Sequence, residues 1–282
     1  MVPKIGCKIW EGNYNVKRDT DFRYGKRLKY FEYNWLNPEI EKIVVFSDQS
    51  IPNAANPMFK GVKHKVAWML ESQVIYNTYG QFKQAKQWLL SNLHEFSAVA
   101  TYDDELISKH SDIMTFVPLG LIVVPENESV IYSKTKLCSM SLGVRYDFRN
   151  DVFNRLQPNG KVDFLGRGVD KPFKNTADVY RDYMYCLVMP VCRDNRYFAA
   201  SLVDPLACGT VPIWWGCDIS DFFDMDGIIT VSSEDELCEA VEKISADDYM
   251  SRMEAIKRNK ILVEKYRTPE NNLWTEVLQC LT

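Results

Sequence analysis

The stretch from Tyr185 to Gly216, YCLVMPVCRDNRYFAASLVDPLACGTVPIWWG, decides the fold class of this chain. It opens with a continuous apolar run, Tyr185 to Val191, of the length expected for a buried parallel strand. After a polar turn with two arginines, Tyr197 to Cys208 has helical spacing, and Gly209 stands where a helix would stop. A second apolar run, Val211 to Trp215, predicts another strand. Such a βαβ unit offers a ligand the carboxyl end of its first strand and the N-terminus of its helix.

Alternating strands and helices are predicted on both sides of this unit. The N-terminal strands are Ile43 to Ser47, Lys65 to Leu70, Ser97 to Tyr102 and Ile113 to Pro118, with a long amphipathic helix over Val74 to Phe96. Further strands begin at Lys136, Val162 and Gly227, and helices cover about Phe148 to Leu156, Thr176 to Tyr185, Ala246 to Tyr266 and Pro269 to Leu281. A polar linker is predicted at Pro125 to Ser133. The pattern predicts an α/β fold with two Rossmann-like domains, 1–125 and 126–265, and a C-terminal helix at 266–282 for which packing on the first domain is one arrangement.

Composition and charge narrow the class of protein. The chain has 282 residues, 46% hydrophobic and 26% charged, as in a soluble globular protein, and its net charge of −4 gives no reason to expect a nucleic-acid partner. No apolar run is long enough for a membrane span, and the first residues do not resemble a signal peptide. The eight cysteines form no CxxC pair. Buried free thiols suit a reducing compartment, so a cytoplasmic location is expected.

The residue identities at the end of the opening stretch are more specific than its hydrophobic pattern. Cys208-Gly209-Thr210-Val211-Pro212-Ile213-Trp214-Trp215-Gly216 resembles the Ala-Gly-Thr-Val-Pro-Ile-Tyr-Trp-Gly signature of the fucosyltransferases of glycosyltransferase family 10, and Asp204 stands at that family's aspartate position. The segments Val66 to Ser72, Arg149-Asn150 and Asp163 to Gly168 also resemble the family. A weaker likeness to exostosin-type transferases covers the signature. The resemblance implies GT-B architecture, in which two Rossmann-like domains face a central cleft and the second binds a nucleotide sugar.

The chain departs from this family at the donor site. Where the family carries Glu-Lys shortly after a tyrosine that matches Tyr197, and uses the pair to engage GDP-fucose, this chain has Ala200-Ser201. The acidic-asparagine pair at the preceding strand end is replaced by Met189-Pro190. A lost charge-assisted contact costs about 1.5–3 kcal/mol where it is buried. Either nearby arginines replace it, or the donor is another nucleotide sugar, such as UDP-xylose.

Glu71 is the candidate catalytic base. Sugar transfer needs a group that takes the proton of the acceptor hydroxyl and positive charge that holds the leaving diphosphate. Glu71 follows a predicted buried strand, whose carboxyl end is where such sheets bind ligands, and the resemblance places the family's glutamate at this position. The alternative is a carboxylate that favours the dipole of the following helix.

Four arginines are candidates for the diphosphate, because the planar guanidinium matches phosphate oxygens. Arg149 matches the family's arginine, and Arg167 lies in a turn that resembles the family's Asp-X-Phe-Gly-Arg. Arg193 and Arg196 are candidates only because they lie in the turn of the βαβ unit. Each could instead be a solvated surface residue. Tyr197 either belongs to the nucleotide site or packs on the sheet. With Asp204, these residues form the predicted nucleotide-sugar site.

No metal and no other cofactor are expected. Asp224-Met225-Asp226 has the letters of the Asp-X-Asp triplet that holds a metal in GT-A transferases, but it lies in a loop after the signature. The three histidines are far apart. The aromatic residues between Trp10 and Trp35 are either core side chains or stacking surfaces for sugar rings.

The sequence thus predicts an inverting glycosyltransferase, bacterial or viral, that moves one sugar from a nucleotide sugar to a hydroxyl of an oligosaccharide or other glycan. Fucose and a pentose such as xylose are the candidate sugars. Two alternatives stay open: an exostosin-like transferase that uses a UDP-sugar, and a degenerate transferase fold that binds glycans or acts as a scaffold.

Overall fold

A computed structural model describes residues 7–10, 43–143, 147–193 and 196–282 of the chain. These residues form two compact units. Unit 1 draws on Met1–Leu119, Asn195–Tyr197 and Thr268–Thr282, and unit 2 on Gly120–Asp194 and Phe198–Arg267.

The described elements alternate between strand and helix. The strands are β1 (Cys7–Trp10), β2 (Ile43–Ser47), β3 (His64–Trp68), β4 (Ala98–Thr101), β5 (Met114–Phe116), β6 (Lys136–Ser141), β7 (Val162–Leu165), β8 (Tyr183–Val188), β9 (Val211–Trp214) and β10 (Ile229–Thr230). The helices are α1 (Gln73–Thr78), α2 (Gly80–Ser91), α3 (Asp104–Lys109), α4 (Asp147–Leu156), α5 (Ala200–Ala207), α6 (Glu234–Lys243), α7 (Ala246–Ser251), α8 (Met253–Leu262) and α9 (Pro269–Glu276). No helix in these described ranges is both long and apolar enough to cross a membrane.

Unit 1 contains a parallel sheet in the order β1-β2-β3-β4-β5. Every residue of β2 is buried, because successive side chains point to opposite faces of the sheet and both faces are covered. Ile43 and Val45 pack in a cluster with Leu273 of α9, whereas Val44 and Phe46 pack in a second cluster with Leu89 of α2. The uninterrupted apolar run of β2 reflects this two-sided burial.

Unit 2 contains a parallel sheet in the order β10-β9-β8-β6-β7. The chain adds β7 on one side of β6 and then returns to place β8 on the other side, so the winding direction reverses between β6 and β8. Open parallel sheets bind ligands at the carboxyl ends of the strands next to such a reversal. The topology therefore marks one edge of unit 2 as its ligand-binding edge.

The predicted βαβ unit is present as β8, α5 and β9. Tyr185 of β8 pairs with Val211 of β9 in parallel register. α5 ends at Ala207, and Gly209 has a φ of 69°, a left-handed conformation suited to glycine after a helix. A Cβ on Gly209 would also lie 2.8 Å from the Ile131 side chain. The predicted helix stop at Gly209 is confirmed.

Three predicted elements were wrong in extent or type. The single helix over Val74 to Phe96 is two helices, because Tyr79 has extended dihedral angles (φ −99°, ψ 124°) and α2 starts anew at Gly80. The helix over Thr176 to Tyr185 is a short 3-10 turn, Thr176–Val179, followed by β8, whose pairing with β6 outweighs the local helical pattern. The helix over Ala246 to Tyr266 is divided at Arg252 into α7 and α8. β1 was not predicted.

The turn after β7 depends on a glycine at position 166. Gly166 has a φ of 122°, and a Cβ there would lie 2.4 Å from the carbonyl oxygen of Leu142. That oxygen accepts a hydrogen bond from the amide of Gly168 at 2.9 Å, so the segments around Leu142 and Gly166 are held in close contact. The carboxyl ends of β6 and β7 are joined through this contact.

We expect Gly166→Ala to lower the free energy of unfolding by about 1–3 kcal/mol or more, because the backbone conformation is strained for alanine and the Cβ meets a carbonyl that cannot withdraw. Gly143→Ala is the matched control, since a Cβ there would meet nothing within 4 Å. Urea denaturation of both variants measures the difference. Equal stability of the two would contradict the proposed constraint.

Candidate functional site

Basic and aromatic side chains gather at the carboxyl edge of the sheet of unit 2, next to the reversal between β6 and β8. Together with the backbone carbonyl of Met189, we call these side chains the switch-point cluster: Phe148, Arg149, Met189, Arg193 and Trp215. Phe148 and Arg149 begin α4, the helix that follows β6. Met189 and Trp215 come directly after β8 and β9, and Arg193 lies in the loop that follows β8. Parallel pairing of the strands brings these separate parts of the sequence together.

Arg149 is held at the end of β8 by a backbone contact. Its Nη2 donates a hydrogen bond to the carbonyl oxygen of Met189 at 2.6 Å, and its guanidinium lies 5.6 Å from the Phe148 ring centre. The bond sets the direction of the guanidinium, which is the requirement for a group that recognises phosphate geometry.

Arg193 is held by two aromatic rings. Its guanidinium carbon lies 3.7 Å from the ring centre of Trp215 and 4.9 Å from that of Phe148. The backbone of Trp215 is held at the end of β9, because its amide donates to the carbonyl of Val188 at 3.0 Å. Loss of hydration lowers the pKa of Arg193. A partly dehydrated cation on aromatic rings is stabilised by an anion that approaches its edge.

Arg167 and Asp204, the other predicted residues of unit 2, have different surroundings. Arg167 is exposed in the turn that follows Gly166. Asp204 is 1% exposed, and its Oδ1 accepts hydrogen bonds from the amides of Val123 (2.7 Å) and Val124 (3.0 Å). This carboxylate therefore ties the segment before β6 to α5.

Arg196 and Tyr197 belong to unit 1. The Nε of Arg196 donates to both carboxylate oxygens of Asp104 at 3.1 and 2.9 Å, and its guanidinium lies 3.9 Å from the ring centre of Phe116. The ring of Tyr197 lies 4.9 Å from that of Tyr102. Of the four predicted arginines, the structure thus brings Arg149 and Arg193 together at the switch-point cluster, whereas Arg196 forms an ion pair in unit 1.

Glu71 lies just after β3 in unit 1 and is partly buried. Its backbone is held from both sides. The Oδ1 of Asp48 accepts hydrogen bonds from the amides of Leu70 (2.7 Å) and Glu71 (3.1 Å), and the hydroxyl of Tyr102 donates to the carbonyl of Glu71 at 2.6 Å. Tyr76 completes this group, because its hydroxyl donates to the same Asp48 oxygen at 2.8 Å. We call Asp48, Tyr76 and Tyr102 the Glu71 anchor.

Asp48 is an unusual aspartate. It is 6% exposed and has a φ of 46°, in the left-handed region. Burial raises its pKa to about 6 and outweighs the hydrogen bonds from Leu70, Glu71 and Tyr76, which act in the opposite direction. Sequence reasoning missed this residue. The available signal was a carboxylate placed directly after a buried strand, at the end where parallel sheets bind ligands.

The Asp-X-Asp triplet is part of a structural turn. Asp224 pairs with Arg258, accepts a hydrogen bond from the amide of Asp226 at 3.0 Å, and its amide donates to Asn259 Oδ1 at 2.8 Å. Within the described ranges, no group of three or more His, Cys, Asp or Glu residues is placed to hold a metal ion. Of the aromatic stretch from Trp10 to Trp35, the structure describes only the backbone at Trp10, so the prediction of a sugar-stacking surface lies outside the described residues.

Comparison of the sequence with protein-family models gives no match, and comparison with curated protein sequences gives none either. Solved structures do match over most of the chain. An α1,3-fucosyltransferase has a TM-score of 0.59 at 13% identity, over 89% of this chain and 81% of that one. HepE of Anabaena in complex with UDP has a TM-score of 0.61 at 8% identity, over 84% and 78%.

A third structure, described as trehalose-6-phosphate from E. coli bound with UDP-2-fluoro glucose, has a TM-score of 0.54 at 12% identity, over 86% of this chain and 73% of that one. At such identities the likeness concerns the fold alone. The chain has the α/β fold with parallel sheets of the GT-B glycosyltransferases, so the fold class predicted from the sequence is confirmed.

The raised pKa of Asp48 predicts a pH-dependent difference in stability between the wild-type chain and Asp48→Asn. Well below pH 4 the carboxyl is protonated in both the folded and the unfolded chain. Between about pH 4 and 6 the unfolded chain ionises while the folded chain still holds its proton, so wild type loses up to about 3 kcal/mol relative to the variant, and the loss is complete above about pH 6. Urea denaturation between pH 4 and 7.5 measures this difference. A difference independent of pH would contradict the assignment.

Proposed function

We propose that this chain is an inverting glycosyltransferase that moves a single sugar from a nucleotide sugar to a hydroxyl of an oligosaccharide or other glycan. The observation that carries the proposal is the switch-point cluster, in which two arginines stand at the ligand-binding edge of a parallel sheet in a chain with the GT-B fold. The family resemblance of the sequence around Gly209 supports the same activity.

In this proposal Arg149 and Arg193 hold the diphosphate of the donor. The guanidinium carbon of Arg193 lies 3.7 Å from the Trp215 ring centre, and a planar guanidinium that packs on an aromatic ring can still donate its N–H groups to phosphate oxygens. Two guanidinium groups would also stabilise the negative charge that develops on the leaving nucleotide. The proposed site needs no metal ion and no other cofactor, because the arginines supply the positive charge.

Glu71 is the proposed base. Its carboxylate would take the proton of the acceptor hydroxyl while that oxygen attacks the anomeric carbon and the bond to the nucleotide diphosphate breaks. A single displacement of this kind inverts the anomeric configuration. The hydrogen bonds of the Glu71 anchor give the residue a fixed backbone, which efficient proton transfer requires.

The donor is proposed to be GDP-fucose or a UDP-sugar such as UDP-xylose. Ala200-Ser201 at the start of α5 carries no charged side chain, so the phosphate contacts would come from the arginines. Structures that share the fold have been solved with GDP-fucose and with UDP, which supports testing both nucleotides. The same Ala200-Ser201 pair favours the second candidate, a degenerate transferase that binds glycans or acts as a scaffold.

We expect one nucleotide or nucleotide sugar among GDP, UDP, GDP-fucose and UDP-xylose to raise the melting temperature. At a hundredfold excess over Kd, binding stabilises the folded chain by about 2.7 kcal/mol. Arg193→Ala should weaken that binding about tenfold to a hundredfold, because one charge-assisted contact contributes about 1.5–3 kcal/mol. Titration of the melting temperature against ligand concentration gives both constants.

Arg155→Ala is the matched control for this experiment. Arg155 also lies on α4, but it is exposed and pairs with Glu234 and Asp235 at 2.9 and 2.8 Å. Its replacement should leave nucleotide binding unchanged. If none of the four ligands shifts the melting temperature of the wild-type chain, the scaffold candidate replaces the enzyme.

Glu71→Gln should lower the rate of sugar transfer at least about a hundredfold while nucleotide binding is retained, because the amide cannot accept the proton. Transfer is measured with the donor found in the binding experiment. Glu105→Gln is the control, since Glu105 is an exposed carboxylate of the same unit that pairs with Lys109. Near-normal transfer by the Glu71 variant would remove this residue from the mechanism.

A further inference from the structure

We infer that Asp48 is a positioning residue that holds Glu71 in its working conformation and does so most strongly when it is ionised. The inference rests on the proposed role of Glu71 as the base. It concerns a residue that neither the family resemblance nor the sequence pattern identifies, and it concerns the backbone of Glu71, which Asp48 contacts directly.

The hydrogen bonds of Asp48 converge on one short segment. A single carboxylate oxygen accepts from the amides of Leu70 and Glu71 and from the hydroxyl of Tyr76. The two amides belong to the turn between β3 and α1, where the chain leaves the sheet. Asp48 occupies the corresponding place after β2, the neighbouring parallel strand. It therefore spans two strand ends and determines how the Glu71 backbone leaves the sheet.

Backbone geometry supports a specific role. Asp48 has a φ of 46°, and aspartate tolerates this region less readily than glycine does. The side chain is also almost fully buried. A strained and buried carboxylate costs stability, and such costs concentrate at functional sites.

Among the described residues, the hydrogen bonds to the Asp48 carboxylate come from this segment and from Tyr76. Tyr76 donates to it, Tyr102 lies beyond Tyr76, and the Glu71 carboxylate contributes a small repulsion. Lys86 of the neighbouring helix α2 donates instead to Gln73 at 3.0 Å and to Asp103 at 3.3 Å. The burial that raises the pKa of Asp48 to about 6 places its ionisation within the range of ordinary assays.

Ionisation strengthens the bonds that hold Glu71, because hydrogen bonds to a carboxylate are about twice as strong as those to a neutral oxygen. Asp48→Asn keeps an acceptor oxygen of nearly the same shape but is neutral at every pH, and asparagine tolerates the left-handed region. The variant should therefore behave like the wild type at low pH and differ from it at high pH.

The test compares kcat of the wild type and of Asp48→Asn between pH 5 and 8. We expect kcat of the wild type to be about tenfold higher than that of Asp48→Asn at pH 8, and the two values to agree within about twofold at pH 5. The KM for the donor should be the same in both chains. Tyr102→Phe should lower kcat by a factor that does not vary across this range, because its bond to Glu71 is neutral throughout. Asp112→Asn, an exposed aspartate of the same unit, should match the wild type.

Amide hydrogen exchange gives a readout that does not depend on activity. Local opening of this turn breaks the hydrogen bonds to Asp48 while its carboxylate stays buried, so peptides that contain Leu70 and Glu71 should exchange faster in Asp48→Asn than in wild type at pH 8, with a ratio near one at pH 5. Global unfolding, which exposes Asp48, has the opposite pH dependence and is measured separately by urea denaturation. A purely structural role would instead give the same ratio of exchange rates, variant to wild type, at every pH.

The outcomes separate this inference from the proposed function. If Glu71→Gln is inactive but the kcat ratio of wild type to Asp48→Asn is flat with pH, Glu71 remains the base and the role of Asp48 is overturned. If the exchange ratio is one at every pH, Asp48 does not hold the segment; if it differs from one but is flat with pH, Asp48 holds the segment without any contribution from its charge. Either result overturns the inference irrespective of kinetics. If Glu71→Gln transfers sugar normally, the base assignment fails and this inference fails with it.

Discussion

Both units depend on one constraint: a parallel sheet must be covered on both faces. Crossover connections place helices on the two faces, so the central strands are largely apolar along their length. In β2 every residue is buried, and the first residue with a charge, Asp48, comes directly after the strand. Chemistry in such a fold is restricted to the carboxyl edge, and both candidate groups of residues lie there.

Polar side chains at these edges are held mainly by backbone groups. Arg149 donates to the carbonyl of Met189, and Asp48 accepts from the amides of Leu70 and Glu71. Backbone groups at strand ends have no partner in the sheet, and a buried one must find a partner elsewhere. The same bonds that satisfy the backbone therefore also position the side chains.

Lys134 shows that the signature turn is supported in the same way. Its ammonium group donates to the carbonyl of Cys208 at 2.8 Å, the carbonyl of Tyr180 at 3.0 Å and the hydroxyl of Thr210 at 3.0 Å. Burial lowers the pKa of this lysine to about 8. The Gly209 turn is thus joined to the segment before β8 by a lysine that no motif had indicated.

The sequence by itself determined the fold class and the βαβ unit with its stop at Gly209, because apolar periodicity and glycine placement are local properties. The candidates Glu71 and Arg149 came mainly from the family resemblance, and Arg193 from its place in the βαβ turn. The sequence did not predict the interruption of the helix at Tyr79. It also predicted a helix over Thr176 to Tyr185, where the pairing of β8 with β6 outweighs local helical spacing. Only the tertiary structure decided that Arg196 pairs with Asp104, that Asp204 is interior, that Trp215 stacks on Arg193 and that Asp48 holds the Glu71 backbone. These contacts join residues far apart in the chain, and it is the order and register of parallel strands that bring them together.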